Sequence, residues 1–353
     1  MLRISKFLCL AMAAVLCLSL VGCGGGSESE PESSVPVSSE VSSLPPEEPK
    51  IVYEINPLTG LETLTKDEVG LRPVAVSVSN IRTAQPIQSG VGYADVVYET
   101  VTEGGITRLL AIYKNPTDAI EHIGSIRSAR VVFAELAASH KAVLVHHGMD
   151  ERYCRPRVNE LSLPRIEVSQ KYYGDRINNG KAWEHRLYTS GKQLKEAIAK
   201  KDYAEGYESD PWLNFSSERT PSTLAATNVT VRFNGSYITN FFYNAETKGY
   251  IRGSKGEVMT DYFAKTDESF TNVFVLFTAT KLYPDEVHTE VKLAGGDGYY
   301  ITQGGYEKIT WSKKGSSTPI SFKDENGAEL TVTPGNSYIC LVDKYQSNTF
   351  TVE

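Results

Sequence analysis

Glu99 and Glu103 precede the pair Gly104-Gly105, and Arg108 follows it. Two further arginines, Arg127 and Arg130, flank Ser128 in the run GSIRSAR. A carboxylate pair sharing one arginine can do acid–base work if its surroundings pull the two pKa values apart. Two guanidiniums at a helix start can instead hold a phosphate, sulfate or carboxylate, because the first helical N–H groups are unpaired and the dipole is positive there. Each pattern also has a structural reading, in which the acids and bases neutralise one another and close a loop. His146, ending an apolar run, and His185, ahead of a later helix, complete the candidate ligand-binding set of Glu99, Glu103, Arg108, Arg127, Ser128, Arg130, His146 and His185.

Local elements must position these side chains. Asp95 to Thr102 and Ile106 to Tyr113 read as strands joined by Gly104-Gly105, a two-residue turn needing positive φ. In that register Glu103 pairs with Ile106 and Arg108 lies opposite Val101. Strand alternation then puts Glu99, Val101, Glu103, Ile106, Arg108 and Leu110 on one face, with Arg108 diagonal to both glutamates. Ala129, Val132, Phe133 and Leu136 follow helical spacing, so a helix buries that face. Ser128 fits its N-cap and Arg130 its second residue, where a cation opposes the dipole at a cost of a few tenths of a kcal/mol. An external anion, or Glu99, Glu103 or Glu121, must offset that charge. Arg72 to Ser79 alternates as a half-buried strand. Lys141 to His146 is another, and His146 and His147 must face opposite ways. Asp150 to Leu161 suits a short helix limited by Pro156, and Ser190-Gly191 opens a helix over Lys192 to Lys201.

The N-terminus reads as an address. Arg3 and Lys6 precede an apolar run from Phe7 to Val21, which has signal-peptide length and is short for a membrane span of about 20 residues. Leu20-Val21-Gly22-Cys23 resembles a bacterial lipoprotein signal, which implies cleavage before Cys23 and lipid attachment to it; ordinary secretion is the alternative. A diacylated cysteine anchors stably. Gly24 to Lys50, rich in Gly, Ser, Pro and Glu, cannot bury enough apolar surface to fold and forms a stalk. Of the remaining cysteines, Cys154 and Cys340 are expected as buried free thiols. The 353 residues suffice for two domains, and a net charge of −7 argues against nucleic acid as a partner.

Downstream, Gly206, Pro211 and Pro221 interrupt a polar stretch, placing a linker at 204–226. Beyond it β-branched and aromatic runs alternate with turn signals such as Gly304-Gly305 and Asn326-Gly327. The expected fold class is α+β: a 1–22 signal peptide, a 23–50 stalk, a mixed α/β domain over 51–203, the linker, and a mostly-β sandwich or barrel over 227–353. Trp311 and the tyrosines there either fill core or stack sugars. No phosphate loop, nucleophile elbow, zinc-helix motif or Cys-x-x-Cys occurs, so neither cofactor nor metal is expected.

The run YADVVYETVTEGGITRLLAIY, followed by GSIRSAR, VHHG and EHRLYTS, resembles the YerB-like bacterial lipoproteins in order and spacing from about Asn56 onward. The resemblance implies an N-terminal and a C-terminal family domain and brings no catalytic assignment. Arg186 follows His185 where the family pattern has asparagine, so any ligand contact made by that asparagine is missing here. Two functions fit. One is an anchored protein on the extracytoplasmic face of the membrane that binds an anionic small molecule, an envelope polymer or an envelope protein. The other is a hydrolase or transferase acting on an envelope polymer through Glu99 or Glu103, with Arg108, Arg127 and His146 steadying charge.

Overall fold

Strands buried on both faces must be apolar on both, and the chain supplies several. Val74–Ser79 (β1) is buried at every position, as is Thr107–Tyr113 (β3). The expected half-buried strand is therefore fully covered, with Ser77 Oγ paired to the Ser128 carbonyl at 3.1 Å. The structure, a computed structural model, describes residues 52–204, 207, 211–346 and 349–353. The signal segment, Cys23 and the stalk lie outside the described residues.

The other strands of the two large sheets, in chain order, start with Val96–Val101 (β2), Val143–His146 (β4) and Arg165–Glu167 (β5). Asn228–Arg232 (β6), Ile238–Asn244 (β7), Gly249–Ser254 (β8), Glu257–Val258 (β9), Ser269–Phe270 (β10) and Asn272–Thr278 (β11) follow. The last are Gly295–Thr302 (β12), Gly305–Ser312 (β13), Ser321–Lys323 (β14), Ser337–Asp343 (β15) and Phe350–Val352 (β16). Ten of them form one mixed sheet in the order β14-β13-β12-β11-β15-β2-β3-β1-β4-β5. The smaller sheet runs β9-β8-β7-β6-β16, with β10 also on β8. Strands dominate the chain, and the three α-helices among the described residues, Val131–Ser139 (α1), Cys154–Glu160 (α2) and Gly191–Lys200 (α3), all precede residue 204.

The large sheet is the middle layer. One face, with Val76, Val97, Leu109, Val275 and Cys340, meets the smaller sheet and α3. The other, with Ala75, Tyr98, Leu110, Phe274 and Ile339, meets α1, α2 and Leu213. Each core draws on both halves of the sequence, so the expected boundary does not separate two cores. β15 is the reason: it lies parallel to β2 on one side and to β11 on the other. The expected β sandwich is thus divided between a sheet of its own and a shared one.

The segment expected as a linker is docked where it is described. Trp212 Nε1 donates to the Leu58 carbonyl at 3.0 Å, and Asn214–Phe215 pairs in parallel with Thr331–Val332. Trp311 is core, 3% exposed. Cys154 and Cys340 are buried free thiols.

Helix starts follow local satisfaction. Ser190 caps α3 by accepting from the Gln193 N–H at 3.2 Å. Pro156 occupies the first turn of α2, where a missing N–H costs nothing, and Asp150 accepts from the N–H groups of Arg152, Tyr153 and Cys154. At α1 the N-cap position is Arg130, with no side-chain cap, and not Ser128. The Ser128 carbonyl is instead held by Ser77 and Arg108.

Candidate anion-binding surface

The β2–β3 turn decides where the charges go. Gly104 and Gly105 take positive φ, 63° and 69°, as expected, but Glu103 joins the turn and makes it three residues long. Arg108 therefore lies opposite Thr100, one residue from the expected register. A one-residue slip moves a strand's side chains to the other face. Glu99 and Arg108 consequently point to opposite sides of the sheet.

Glu99, 1% exposed, points between the two sheets. It accepts from Asn80 Nδ2 and Thr239 Oγ1 at 2.8 Å and from the Tyr338 hydroxyl at 2.7 Å. Asn80 also accepts from Arg252 Nη2 at 3.0 Å, and Arg252 pairs with Glu268 at 2.6 Å, both fully buried. Burial pushes the Glu268 carboxyl up, against the pull of Arg252. This interior network joins the two halves of the chain, and its Glu99, Arg252 and Glu268 are buried. The sequence reading missed it, although Arg252 in the middle of the strand Tyr250-Ile251-Arg252-Gly253 is a charge with no solvent face.

Glu103 stays at the turn and is shared by two arginines. Arg108 Nη2 donates to it at 2.9 Å, Arg130 Nε at 2.7 Å, and Arg130 Nη2 reaches the same oxygen as Arg108. Burial would raise the Glu103 pKa, but the Arg130 hydrogen bond and the Arg108 and Arg130 charges hold it at about 2. The counter-charge to the cation at the start of α1 is therefore internal. Arg108 Nη1 also donates to the Ser128 carbonyl, at 2.8 Å.

Arg127 goes elsewhere. Its Nη1 donates to the Glu184 carbonyl at 3.2 Å, and Arg176 Nη1 donates to the Trp183 carbonyl at 2.7 Å. Asn179 Nδ2 donates to the His185 carbonyl at 2.9 Å. Three successive carbonyls of the 3-10 turn Trp183–His185 thus hold two guanidiniums and an amide, with the Trp183 carbonyl also accepting the Arg186 N–H that closes the turn. The two cations sit on neighbouring carbonyls, and burial, then the Arg127 charge, lowers the Arg176 pKa below its ordinary value. Among the described residues neither has a carboxylate partner.

The histidines divide by strand parity. His146 is fully buried; its Nδ1 faces the Gly148 carbonyl at 2.8 Å, its Nε2 has no partner, and burial holds its pKa at about 4. It takes no part in the surface. The neighbouring His147 does: Nδ1 meets the Val168 carbonyl at 2.7 Å and Nε2 meets Arg176 Nη2 at 3.3 Å. The carbonyl contact calls for a proton on Nδ1, and Nε2 is then the atom that faces Arg176. His185 is 5% exposed; its Nε2 lies 3.3 Å from Thr83 Oγ1 and its Nδ1 has no partner. Burial, then the Arg127 charge, lower its pKa. Arg186 Nε donates to the Lys181 carbonyl at 2.7 Å.

Residues 58–204 match the family described as "Protein of unknown function (DUF3048) N-terminal domain", and residues 229–339 match its C-terminal domain. Over 300 residues, 81% of this chain and 85% of its relative, the sequence is 30% identical to the "Putative lipoprotein YerB" of Bacillus subtilis (strain 168). The chain belongs to the DUF3048 family. The crystal structure of the YerB protein from Bacillus subtilis is similar too, with a TM-score of 0.72 at 27% identity, covering 84% of this chain and 98% of that one. The resemblance read from the motif order is borne out, and none of these descriptions assigns a DUF3048 protein an activity.

The expected constellation thus resolves into three separate places: Glu99 in the interior, Glu103 shared by Arg108 and Arg130 in a triad that keeps one net positive charge, and Arg127 on a cationic surface. Arg176, His147 and Trp183 complete that surface, and sequence reasoning did not assign them to it. Strand parity allowed His147 as readily as His146. Among the described residues no group of three or more His, Cys, Asp or Glu is placed to hold a metal ion, and no helix is long and apolar enough to cross a membrane.

Proposed function

We propose that this is a lipid-anchored protein of the bacterial cell envelope that binds an anionic ligand on the surface formed by Arg127, Arg176 and His147. The observation that carries the reading is the guanidinium pair of Arg127 and Arg176, held on adjacent backbone carbonyls with no carboxylate partner among the described residues, in a chain of net charge −7. Such a pair is unfavourable alone and is relieved by a bound anion, which guanidinium forks recognise well. The Leu-Val-Gly-Cys23 sequence and the relative's description support the anchor. The separation of Glu99 from Glu103, and the clamping of Glu103 by two arginines, argue against the hydrolase or transferase alternative.

Calorimetric titration of the mature chain with inorganic phosphate, sugar phosphates, wall polymer and envelope protein fractions tests the reading. Saturable binding that Arg127→Ala weakens by at least about tenfold supports it. Failure of every anion to bind removes it. Fatty-acid labelling that persists in Cys23→Ala removes the anchor.

A further inference from the structure

We infer that the ligand of this surface is an anionic carbohydrate, a sugar ring carrying phosphate or carboxylate, which stacks on Trp183 while its charge meets Arg127 and Arg176. The inference rests on the anion-binding reading above and concerns what carries the anion. Of the chain's three tryptophans, Trp311 is core, and Trp212 is pinned by the Leu58 carbonyl and edge-on to His140 at 4.8 Å. Trp183 alone of the three is exposed, at 59%. The Arg176 guanidinium lies over its ring, 4.3 Å from the centroid, and the same guanidinium donates to the Trp183 carbonyl. One face of the indole is thereby used and its orientation fixed, while the rest of the ring stays open to solvent.

A free inorganic anion has no use for an indole. A sugar ring offers an apolar C–H face to the aromatic and polar groups at its edge, the pairing of apolar body and placed polar contacts found in ligand sites. The ring and both guanidiniums are anchored to one 3-10 turn, Trp183–His185, so little side-chain freedom is lost on binding. Lys181, two residues ahead of the turn, adds a third cation to this segment. The unpartnered Nδ1 of His185, a residue only 5% exposed, leaves spare hydrogen-bonding capacity in the same turn. Glu184, the one carboxylate in this turn, is 56% exposed at its side chain and would turn to solvent when an anion binds.

The test titrates the mature chain with inorganic phosphate, a hexose phosphate, a uronic-acid oligosaccharide and a neutral oligosaccharide of equal length. The expected result is that a sugar-borne anion binds at least about tenfold more tightly than inorganic phosphate and quenches indole fluorescence. Trp183→Ala should remove that advantage, weakening the sugar-borne anion at least about tenfold more than inorganic phosphate, Trp183→Tyr should restore part of it, and Arg127→Ala should weaken both. The stronger of the hexose phosphate and the uronate identifies the source of charge. Equal binding of phosphate and sugar phosphate, unmoved by Trp183→Ala, overturns the carbohydrate inference and leaves the anion reading standing. Neutral sugar binding as tightly as charged sugar overturns the anionic class. Silence with every probe overturns the anion reading itself.

Discussion

Replacing Glu103 with glutamine separates the structural role of the triad from a catalytic one. Glutamine keeps the shape but loses the charge, and its amide N–H groups face guanidinium donors. Arg108, with a side chain 7% exposed, and Arg130, at 15%, are then left partly buried and unpaired. Breaking a buried ion pair costs about 3–5 kcal/mol, and an exposed one about 0–1 kcal/mol. Glu103 is itself 26% exposed, so a loss of about 2–3 kcal/mol is expected. Urea unfolding at pH 7 should show a lower midpoint with an unchanged slope. A double-mutant cycle with Arg130→Met should return a coupling above about 1 kcal/mol. Two freed guanidiniums near Arg127 also raise the local positive charge, so affinity for phosphate should rise as stability falls. A stability change under about 0.5 kcal/mol, or a fall in phosphate affinity, would refute the reasoning, since Glu103 would then not be the counter-charge of Arg108 and Arg130.

Acid titration of stability tests the same carboxylate. Its pKa is lowered on folding, from 4.5 to about 2, so its contribution is present above the higher value and is lost as pH falls through the lower one. The wild type should therefore lose stability between those limits more steeply than Glu103→Gln, as followed by circular dichroism. Arg252→Met should cost about 3 kcal/mol or more in urea unfolding, because it leaves Glu268 buried without its cation. Arg127→Ala should change stability by less than about 0.5 kcal/mol, because its partner is a carbonyl at the surface. Gly191→Ala should lower the melting temperature by several degrees, since a Cβ there would lie 1.9 Å from the Thr117 carbonyl oxygen and force α3 off its seat.

Where a pattern is local, the sequence carried it. The apolar face of Ala129, Val132, Phe133 and Leu136 is buried, the strands around Gly104-Gly105 are present, and the positive φ at both glycines is observed. What failed turned on one residue of register. A Gly-Gly pair closes a two-residue or a three-residue loop equally well, and only packing against Asn80 and Thr239 on one side and Ser128 on the other selects the longer form. The N-cap at α1 was misplaced for a related reason: the carbonyl of Ser128 is claimed by distant partners that local capping rules do not weigh. Arg176 and His147 were not assigned to the surface because their meeting depends on a contact between distant segments. The location of β15 is the largest omission, since hydrophobic alternation states that a segment is a strand and not which strand it joins.

That location has a consequence for how the protein is made. Ser337–Asp343 is synthesised more than two hundred residues after Val96–Val101, yet it fills the slot beside that strand, which would otherwise be a bare hydrogen-bonding edge. Until the ribosome has released it, the earlier strands carry an exposed template on which neighbouring nascent chains can dock. A polypeptide built this way stays unfinished until that strand has emerged, and a stop codon ahead of residue 337 would yield an aggregating fragment instead of a smaller working domain.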